Sequence, residues 1–127
     1  VTEINSLFHE LVLELKSHMH KEEMILFPYI KQLSNAKKNG TVLNPPPFGT
    51  IINPINMMEE EHTGAGDILS KIAALSNDFT PPPEACNTFK ALYSKLEEYQ
   101  NDLFQHIHLE NNILFPKAIL LEKELLK

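Results

Sequence analysis

Apolar residues recur at alternating spacings of four and three in three stretches of the chain, the pattern of helices that bury one face in a bundle. We call the repeating positions of each stretch its seam. In the first stretch, about residues 3–38, the seam is Ile4, Phe8, Leu11, Leu15, His18, Glu22, Ile25 and Tyr29. In the second, about 53–77, it is Ile55, Met58, His62, Ala65, Leu69 and Ile72. In the third, about 84–126, it is Phe89, Leu92, Leu96, Tyr99, Leu103, His106, Glu110 and Ile113.

Proline clusters separate the three predicted helices. Residues 45–47 and 81–83 are each three consecutive prolines, which cannot continue a helix. The first helix is expected to stop at Gly40, and the second to start with Asn53 as N-cap and Pro54 in its first turn. No stretch reads as a strand of any length, so the sequence predicts an all-α, up-down helical bundle.

Two kinds of residue inside the predicted helices are unusual for a helix. Pro28 and Pro116 are expected to end or kink their helices at the preceding turn. Gly64 and Gly66 each weaken a helix by about 1 kcal/mol relative to Ala. We interpret these glycines as positions where a neighbouring element packs closely.

Length and charge narrow the class of protein. The 127 residues predict one domain, 43% of them are hydrophobic, and no apolar run reaches the roughly 20 residues that a membrane span needs. The net charge is −6 and all 11 basic residues are lysine, which argues against nucleic-acid binding, because base readout relies on arginine. The single cysteine, Cys86, excludes an internal disulfide and favours a reducing compartment, the cytoplasm.

An eleven-residue segment near the start of the chain returns near its end. His18 through Pro28 and His106 through Pro116 share seven positions, including a histidine, a glutamate four residues later, and Ile-Leu-Phe-Pro. Residues four apart lie on one face of a helix, one turn above the other. Each copy can therefore present an imidazole and a carboxylate to one metal site, with the apolar Ile-Leu-Phe-Pro closing that end of the bundle against water.

The seams carry five polar residues where a bundle is expected to be buried. Burying carboxylates and imidazoles without partners costs several kcal/mol for an ionised group, and a metal ion resolves that conflict. The ligand set favours iron, manganese or zinc over calcium, which prefers oxygen ligands alone. A structural polar network without metal is the alternative. The predicted ligands are His18, Glu22, His62, His106 and Glu110.

The other three histidines and two further glutamates are not predicted to be metal ligands. His9, His20 and His108 are out of phase with the seams and are expected at the surface. Glu14 lies one turn before His18, and Glu61 adjoins His62. Either carboxylate could accept the free ring N–H of a ligating imidazole or guide protons and small molecules to the site, and a solvated acidic face is the alternative.

Taken together, these motifs resemble those of hemerythrin-like domains, in which a His with a Glu four residues on, followed by Leu-Phe-Pro, occurs twice around an isolated His. More narrowly, the sequence resembles the bacterial repair-of-iron-centres (RIC) proteins, over nearly the whole chain. The segments that carry this resemblance are His18 through Pro28, Met58-Glu59-Glu60-Glu61-His62, Thr80-Pro81-Pro82-Pro83-Glu84-Ala85-Cys86 and His106 through Pro116.

The resemblance implies a non-haem di-iron centre. His18, His62 and His106 would be terminal ligands, and Glu22 and Glu110 bridging carboxylates. The implied role is repair of iron–sulfur clusters damaged by nitric oxide or peroxide, by iron donation, with damaged iron–sulfur proteins as partners. Alternatives are a carrier or sensor of O₂ or nitric oxide, a nitric oxide-reducing enzyme, and a purely structural helical module without metal. Ligand chemistry alone leaves manganese and zinc open.

One departure from the resemblance concerns the first helix of the bundle. Members of the family have an additional helix that contributes two further histidines, and an N-terminal domain with a cysteine pair, and neither is present among residues 1–127. The seams of three helices leave one side uncovered, and a large exposed apolar face drives association. We therefore expect an N-terminally incomplete metal-binding domain over 1–127, completed by a missing segment, by a second copy in a homodimer, or by another assembly.

Overall fold

The computed structural model describes residues 2–126, and its regular structure is helical throughout that range. Five α-helices and two π-helical turns follow one another along the chain. They are α1 (Thr2–Lys21), π1 (Glu22–Leu26), α2 (Phe27–Asn39), α3 (Ile52–Leu75), α4 (Asn87–Leu109), π2 (Glu110–Leu114) and α5 (Phe115–Leu125). Because α1, π1 and α2 are continuous, as are α4, π2 and α5, the three predicted long helices are confirmed.

Two of the predicted helix starts are wrong by a few residues. The second helix starts at Ile52 with Ile51 as N-cap, so Asn53 lies inside it and donates instead to the carbonyl of Phe48. The third starts at Asn87 with Cys86 as N-cap. The end of the first helix is as expected, with Gly40 in the left-handed conformation at φ 66°.

The two π-helical turns begin at the two glutamates of the repeated segment. In each turn the backbone N–H of the following phenylalanine, Phe27 or Phe115, bonds to the carbonyl of Glu22 or Glu110, five residues back. Pro28 and Pro116 then fall in the first turn of the next α-helix, where a missing N–H costs little. The chain therefore continues through both prolines as helix, and the expected end of helix at the preceding turn does not occur.

The widened turns also change which residues face the core. Ile25 and Ile113, predicted on the seams, are 49% and 44% exposed. Leu26 and Phe115 are buried in their place, at 1% and 0% exposure. A π-helical turn inserts one residue relative to α-helical spacing, so the buried position moves along the chain after each glutamate, by one residue from Ile25 to Leu26 and by two from Ile113 to Phe115.

Two apolar clusters occupy the two ends of the bundle, and the predicted metal ligands lie between them. One cluster joins α1, the second half of α3 and α4; the other joins α2, the start of α3 and α5. On α3, His62 separates Met58 of the second cluster from Ala65 of the first. A Cβ atom placed on Gly64 or Gly66 would meet nothing within 4 Å, so the predicted close packing at these glycines is wrong.

An apolar groove runs between α1 and α4. Its volume is about 580 Å³, and Phe8, Leu96 and Tyr99 are among the residues that line it. Leu92, a seam residue, is 51% exposed there. The seam of α4 is therefore only partly covered within residues 2–126. Separately, none of the described helices is long and apolar enough to cross a membrane.

Candidate metal centre

Four of the five predicted ligands lie in a buried cluster in the middle of the bundle. His18 from α1, Glu22 from π1, His62 from α3 and Glu110 from π2 are each at most 4% exposed. One ligand atom from each residue can be chosen so that all four lie within 4.8 Å of one another. Helices distant in sequence thus bring the two copies of the repeated segment and the isolated histidine to one point.

One side of the cluster is formed by two imidazoles and the Oε1 atoms of both carboxylates. The Nε2 atoms of His18 and His62 are 3.2 Å apart. Glu22 Oε1 lies 2.6 Å from the Nε2 of His18, and Glu110 Oε1 lies 2.9 Å from the Nε2 of His62. This spacing allows both nitrogens to sit about 2.1 Å from one common ion, the usual length of a bond from imidazole to zinc.

The other side of the cluster is formed by His106 and the Oε2 atoms of the same two carboxylates. The Nε2 of His106 lies 3.2 Å from Glu110 Oε2 and 3.8 Å from Glu22 Oε2. Each carboxylate thus turns one oxygen to either side, as a bridge between two ions requires. His106 is 45% exposed, so its predicted burial is wrong, because no described helix covers this side.

Hydrogen bonds at Nδ1 leave lone pairs on the Nε2 atoms of both buried imidazoles. His18 Nδ1 lies 2.9 Å from Glu61 Oε1, and His62 Nδ1 lies 2.9 Å from Asn111 Oδ1. Both oxygens only accept hydrogen bonds, so each Nδ1 carries a proton and donates it. When both rings are neutral, as metal binding requires, the Nε2 lone pairs face each other and the two carboxylates.

The donor set fits a cation. Three buried carboxylate oxygens, Glu22 Oε1 and both oxygens of Glu110, have no hydrogen-bond partner among the described residues. The imidazole nitrogens approach them closely, but without the geometry of a hydrogen bond. Buried acceptors that face one another without donors are costly, and a metal ion between them removes that cost. Nitrogen and oxygen donors in this combination suit iron, manganese or zinc.

In the metal-free cluster, the pKa values of the two glutamates shift in opposite directions. Burial and the nearby Glu110 carboxylate raise the pKa of Glu22, while the nearby imidazoles outweigh burial and lower the pKa of Glu110. Burial opposes protonation of His18, but contacts with Glu22 and Glu61 outweigh it and raise the pKa of the ring. In the absence of metal, protons therefore take over part of the role of a cation in this cluster.

Glu61 and Glu14 lie on the same edge of the site. Glu61 contacts His18 rather than its own neighbour His62, and its other oxygen accepts a 2.7 Å bond from Lys21 Nζ. Glu14 is exposed and shares with Glu61 the lining of a cavity of about 380 Å³ beside His18.

The three out-of-phase histidines lie at the surface: His9, His20 and His108.

Sequence analysis missed two polar residues. Asn111, the partner of His62, differs between the two copies of the repeated segment, and an asparagine inside a helix is a residue that propensity disfavours. Glu122 is buried on α5 and accepts bonds from Tyr29, Thr50 and the backbone of Ile51. No local signal identifies Glu122, because its donors lie 71 to 93 residues away in the chain.

The chain is similar in sequence to several curated proteins. The iron-sulfur cluster repair protein YtfE of Escherichia coli O81 (strain ED1a) is 46% identical over 119 residues, which cover 94% of this chain and 47% of the relative. YtfE proteins of E. coli O1:K1 / APEC and of Escherichia fergusonii are 45% identical with the same coverage. The chain spans about half the length of the curated relatives it matches.

A family description matches nearly the whole chain as well. Residues 1–118 fit the hemerythrin HHE cation binding domain, and this range contains all five predicted ligands. Both copies of the repeated segment and the isolated histidine of α3 fall within the match. The chain therefore belongs to the hemerythrin HHE cation binding domain family.

Proposed function

We propose that residues 1–127 form a di-iron domain that supports the repair of iron–sulfur clusters damaged by nitrosative or oxidative stress, by supplying iron. The observation that carries this proposal is the pair of buried carboxylates, Glu22 and Glu110, whose oxygens face two sides with imidazoles on both. The printed names of the relatives support the biological setting. Damaged iron–sulfur proteins are the proposed partners, in the cytoplasm, where thiols such as that of Cys86 stay reduced.

Five side chains hold the iron in this proposal. His18 and His62 would hold one ion and His106 the other, and the two carboxylates would supply oxygens to both. Bound iron supplies a redox-active Lewis acid at a site walled by apolar clusters. His18 and His62 are each held at Nδ1, whereas His106 lies at the solvent side and is the ligand best placed to let an ion pass.

Iron transfer can be tested with a cluster enzyme inactivated by nitric oxide. Adding the iron-loaded protein under reducing, anaerobic conditions should restore the activity of the enzyme, and Glu110→Gln, which removes one bridging oxygen, should lose both iron and repair. Free ferrous iron at the same concentration controls for simple release. No restoration by protein that demonstrably carries ferrous iron would refute the proposal.

A second candidate function is the binding of O₂ or nitric oxide as a carrier, sensor or reductase. The half-exposed His106 favours it, because that side of the cluster is reachable by small molecules. Optical bands that appear on adding either gas at stoichiometric iron, while the iron stays bound, would support this function over iron supply. Consumption of nitric oxide with turnover would indicate the reductase.

We also propose that a fourth helix covers the groove between α1 and α4. Two helices with apolar facing sides make a trough that a further helix fits, and Phe8, Leu92 and Tyr99 would pack against it. A second copy of the chain or a segment outside residues 1–127 could supply this helix. It would also cover His106 and complete the ligand set on that side.

A further inference from the structure

Adjacent residues of one turn approach both ring nitrogens of His62. Its Nε2 lies 2.9 Å from Glu110 Oε1, and its Nδ1 lies 2.9 Å from Asn111 Oδ1. In a regular α-helix consecutive side chains point about 100° apart, which separates two neighbours around the helix. Both residues belong to the wider turn Glu110–Leu114. The π-helical turn therefore presents a carboxylate and an amide to opposite edges of one imidazole.

The corresponding residues of the first copy are arranged differently. Asn111 occupies the position of Glu23, which is exposed, whereas Asn111 is partly buried against His62. His18, the buried imidazole of the first copy, finds its Nδ1 partner on α3 instead, in the carboxylate of Glu61. The two buried imidazoles thus have partners of different charge: a carboxylate for His18 and a neutral amide for His62.

We propose that Asn111 is the positioning residue of His62. Its amide oxygen accepts the Nδ1–H proton, keeps that proton on Nδ1, and directs the Nε2 lone pair into the cluster. The opposite arrangement, with Nδ1 bare, needs the Asn111 amide turned so that its NH₂ donates. It also places the proton on Nε2, the nitrogen that lies 2.9 Å from Glu110 Oε1 and 3.2 Å from the Nε2 of His18 and that a metal ion needs unprotonated. With the amide oxygen toward Nδ1, as the structure has it, His62 carries its proton on Nδ1.

The charge of the partner sets how strongly each imidazole donates to a metal. A carboxylate that accepts the ring N–H raises the basicity of the other nitrogen, and a neutral amide does so much less. His18, with Glu61, is therefore the stronger donor, and His62, with Asn111, the weaker one. This part of the inference rests on the proposed metal site, whereas the tautomer of His62 does not.

The tautomer is measured on metal-free, ¹⁵N-labelled protein through long-range proton–nitrogen correlations of the imidazole rings, with His62→Gln used for assignment. The wild type and Asn111→Asp, which keeps an acceptor oxygen, should show a protonated Nδ1 on His62. Asn111→Ala should populate the form with Nδ1 bare. Asn112→Ala is the matched control, because Asn112 is exposed and contacts His108 instead. A bare Nδ1 in the wild type, or an unchanged His62 in Asn111→Ala, would overturn the proposal.

Metal affinity is measured with Zn²⁺ in competition with a chromophoric chelator. Asn111→Ala should bind about 10- to 100-fold more weakly than the wild type, the usual effect of losing a partner behind a ligating histidine. Asn112→Ala should match the wild type, and Asn111→Asp should bind at least as tightly. Equal affinity of Asn111→Ala and the wild type contradicts the inference. If the wild type binds no Zn²⁺, the proposed function fails, and the tautomer measurement still decides the role of Asn111.

Discussion

The protonation of His18 links the stability of the protein to its metal content. In the metal-free protein, contacts with Glu22 and Glu61 outweigh burial and raise the pKa of this ring above its ordinary value of 6.5. The stabilising contribution of the protonated ring is fully present below pH 6.5 and is lost as the pH rises through the raised pKa of the folded state. A metal ion needs the same nitrogen unprotonated, so binding strengthens over that range.

We therefore expect opposite pH trends in the two forms of the protein. As the pH rises from 6.5 through the raised pKa of His18, the free energy of unfolding of the metal-free protein should fall, and that of the metal-loaded protein should rise relative to it. Urea unfolding at several pH values, with and without saturating metal, measures both. In His18→Gln the fall in the metal-free form should shrink; parallel trends in the two forms would contradict the account of the cluster.

A second prediction concerns the buried carboxylate of Glu122, which receives a 2.6 Å hydrogen bond from Tyr29. Tyr29→Phe leaves the carboxylate with one donor fewer and should cost about 1–3 kcal/mol of unfolding free energy. Tyr99→Phe is the matched control, because Tyr99 is 37% exposed in the groove, and its effect should stay within about 0.5 kcal/mol. Urea unfolding compares the variants; equal effects would show that the Glu122 contacts add no stability.

At the residue scale, the sequence predicts the positions of side chains that follow from helical periodicity. It does not predict the positions of side chains that depend on contacts between residues distant in the chain. His18, Glu22 and Glu110 follow from their four-residue spacing and converge in the structure. Asn111 reaches His62 only because the turn around it is widened, and Glu122 meets its donors only after α2, α3 and α5 pack together. The spacing of residues along the chain indicates neither the widened turn nor the packing of helices that are distant in sequence.

Among the elements, the π-helical turns account for the main error in the predicted seams. A period of 3.6 residues was carried through Glu22 and Glu110, and it placed Ile25 and Ile113 in the core. One extra residue per turn shifts the buried positions to Leu26 and Phe115, and Phe115 lies parallel to the ring of His62 with centroids 6.1 Å apart. Such turns are frequent at functional sites.

In the connection between α3 and α4, substitutions at two neighbouring residues should change the stability of the protein in opposite directions. Asp78 and Phe79 both have left-handed backbone, with φ of 57° and 60°. Asp78→Gly relieves that strain at an exposed site and should stabilise the protein by about 0.5–1 kcal/mol. Phe79 is 7% exposed, so Phe79→Ala should cost about 3–5 kcal/mol from the lost packing. Thermal unfolding distinguishes the two, and a destabilised Asp78→Gly would contradict the strain argument.

At the scale of the whole molecule, the groove between α1 and α4 predicts association. Leu92 is 51% exposed there, and Leu92→Glu should weaken the docking of a fourth helix from a second copy. Leu13→Glu is the matched control, because Leu13 is 68% exposed on α1 and is not among the residues that line the groove. Light scattering after size exclusion should give a dimer for the wild type and Leu13→Glu, and a monomer for Leu92→Glu. A stable wild-type monomer with a closed metal site would contradict this assembly.

We propose that five side chains from three helical stretches hold two iron ions between two carboxylates. Anomalous diffraction at the iron edge, from crystals of protein grown with iron and without chelators, tests it most directly. We expect two iron positions, both touching Glu22 and Glu110, with His18 and His62 on one and His106 on the other. No anomalous peak at this cluster, or an ion held by other residues, would contradict it.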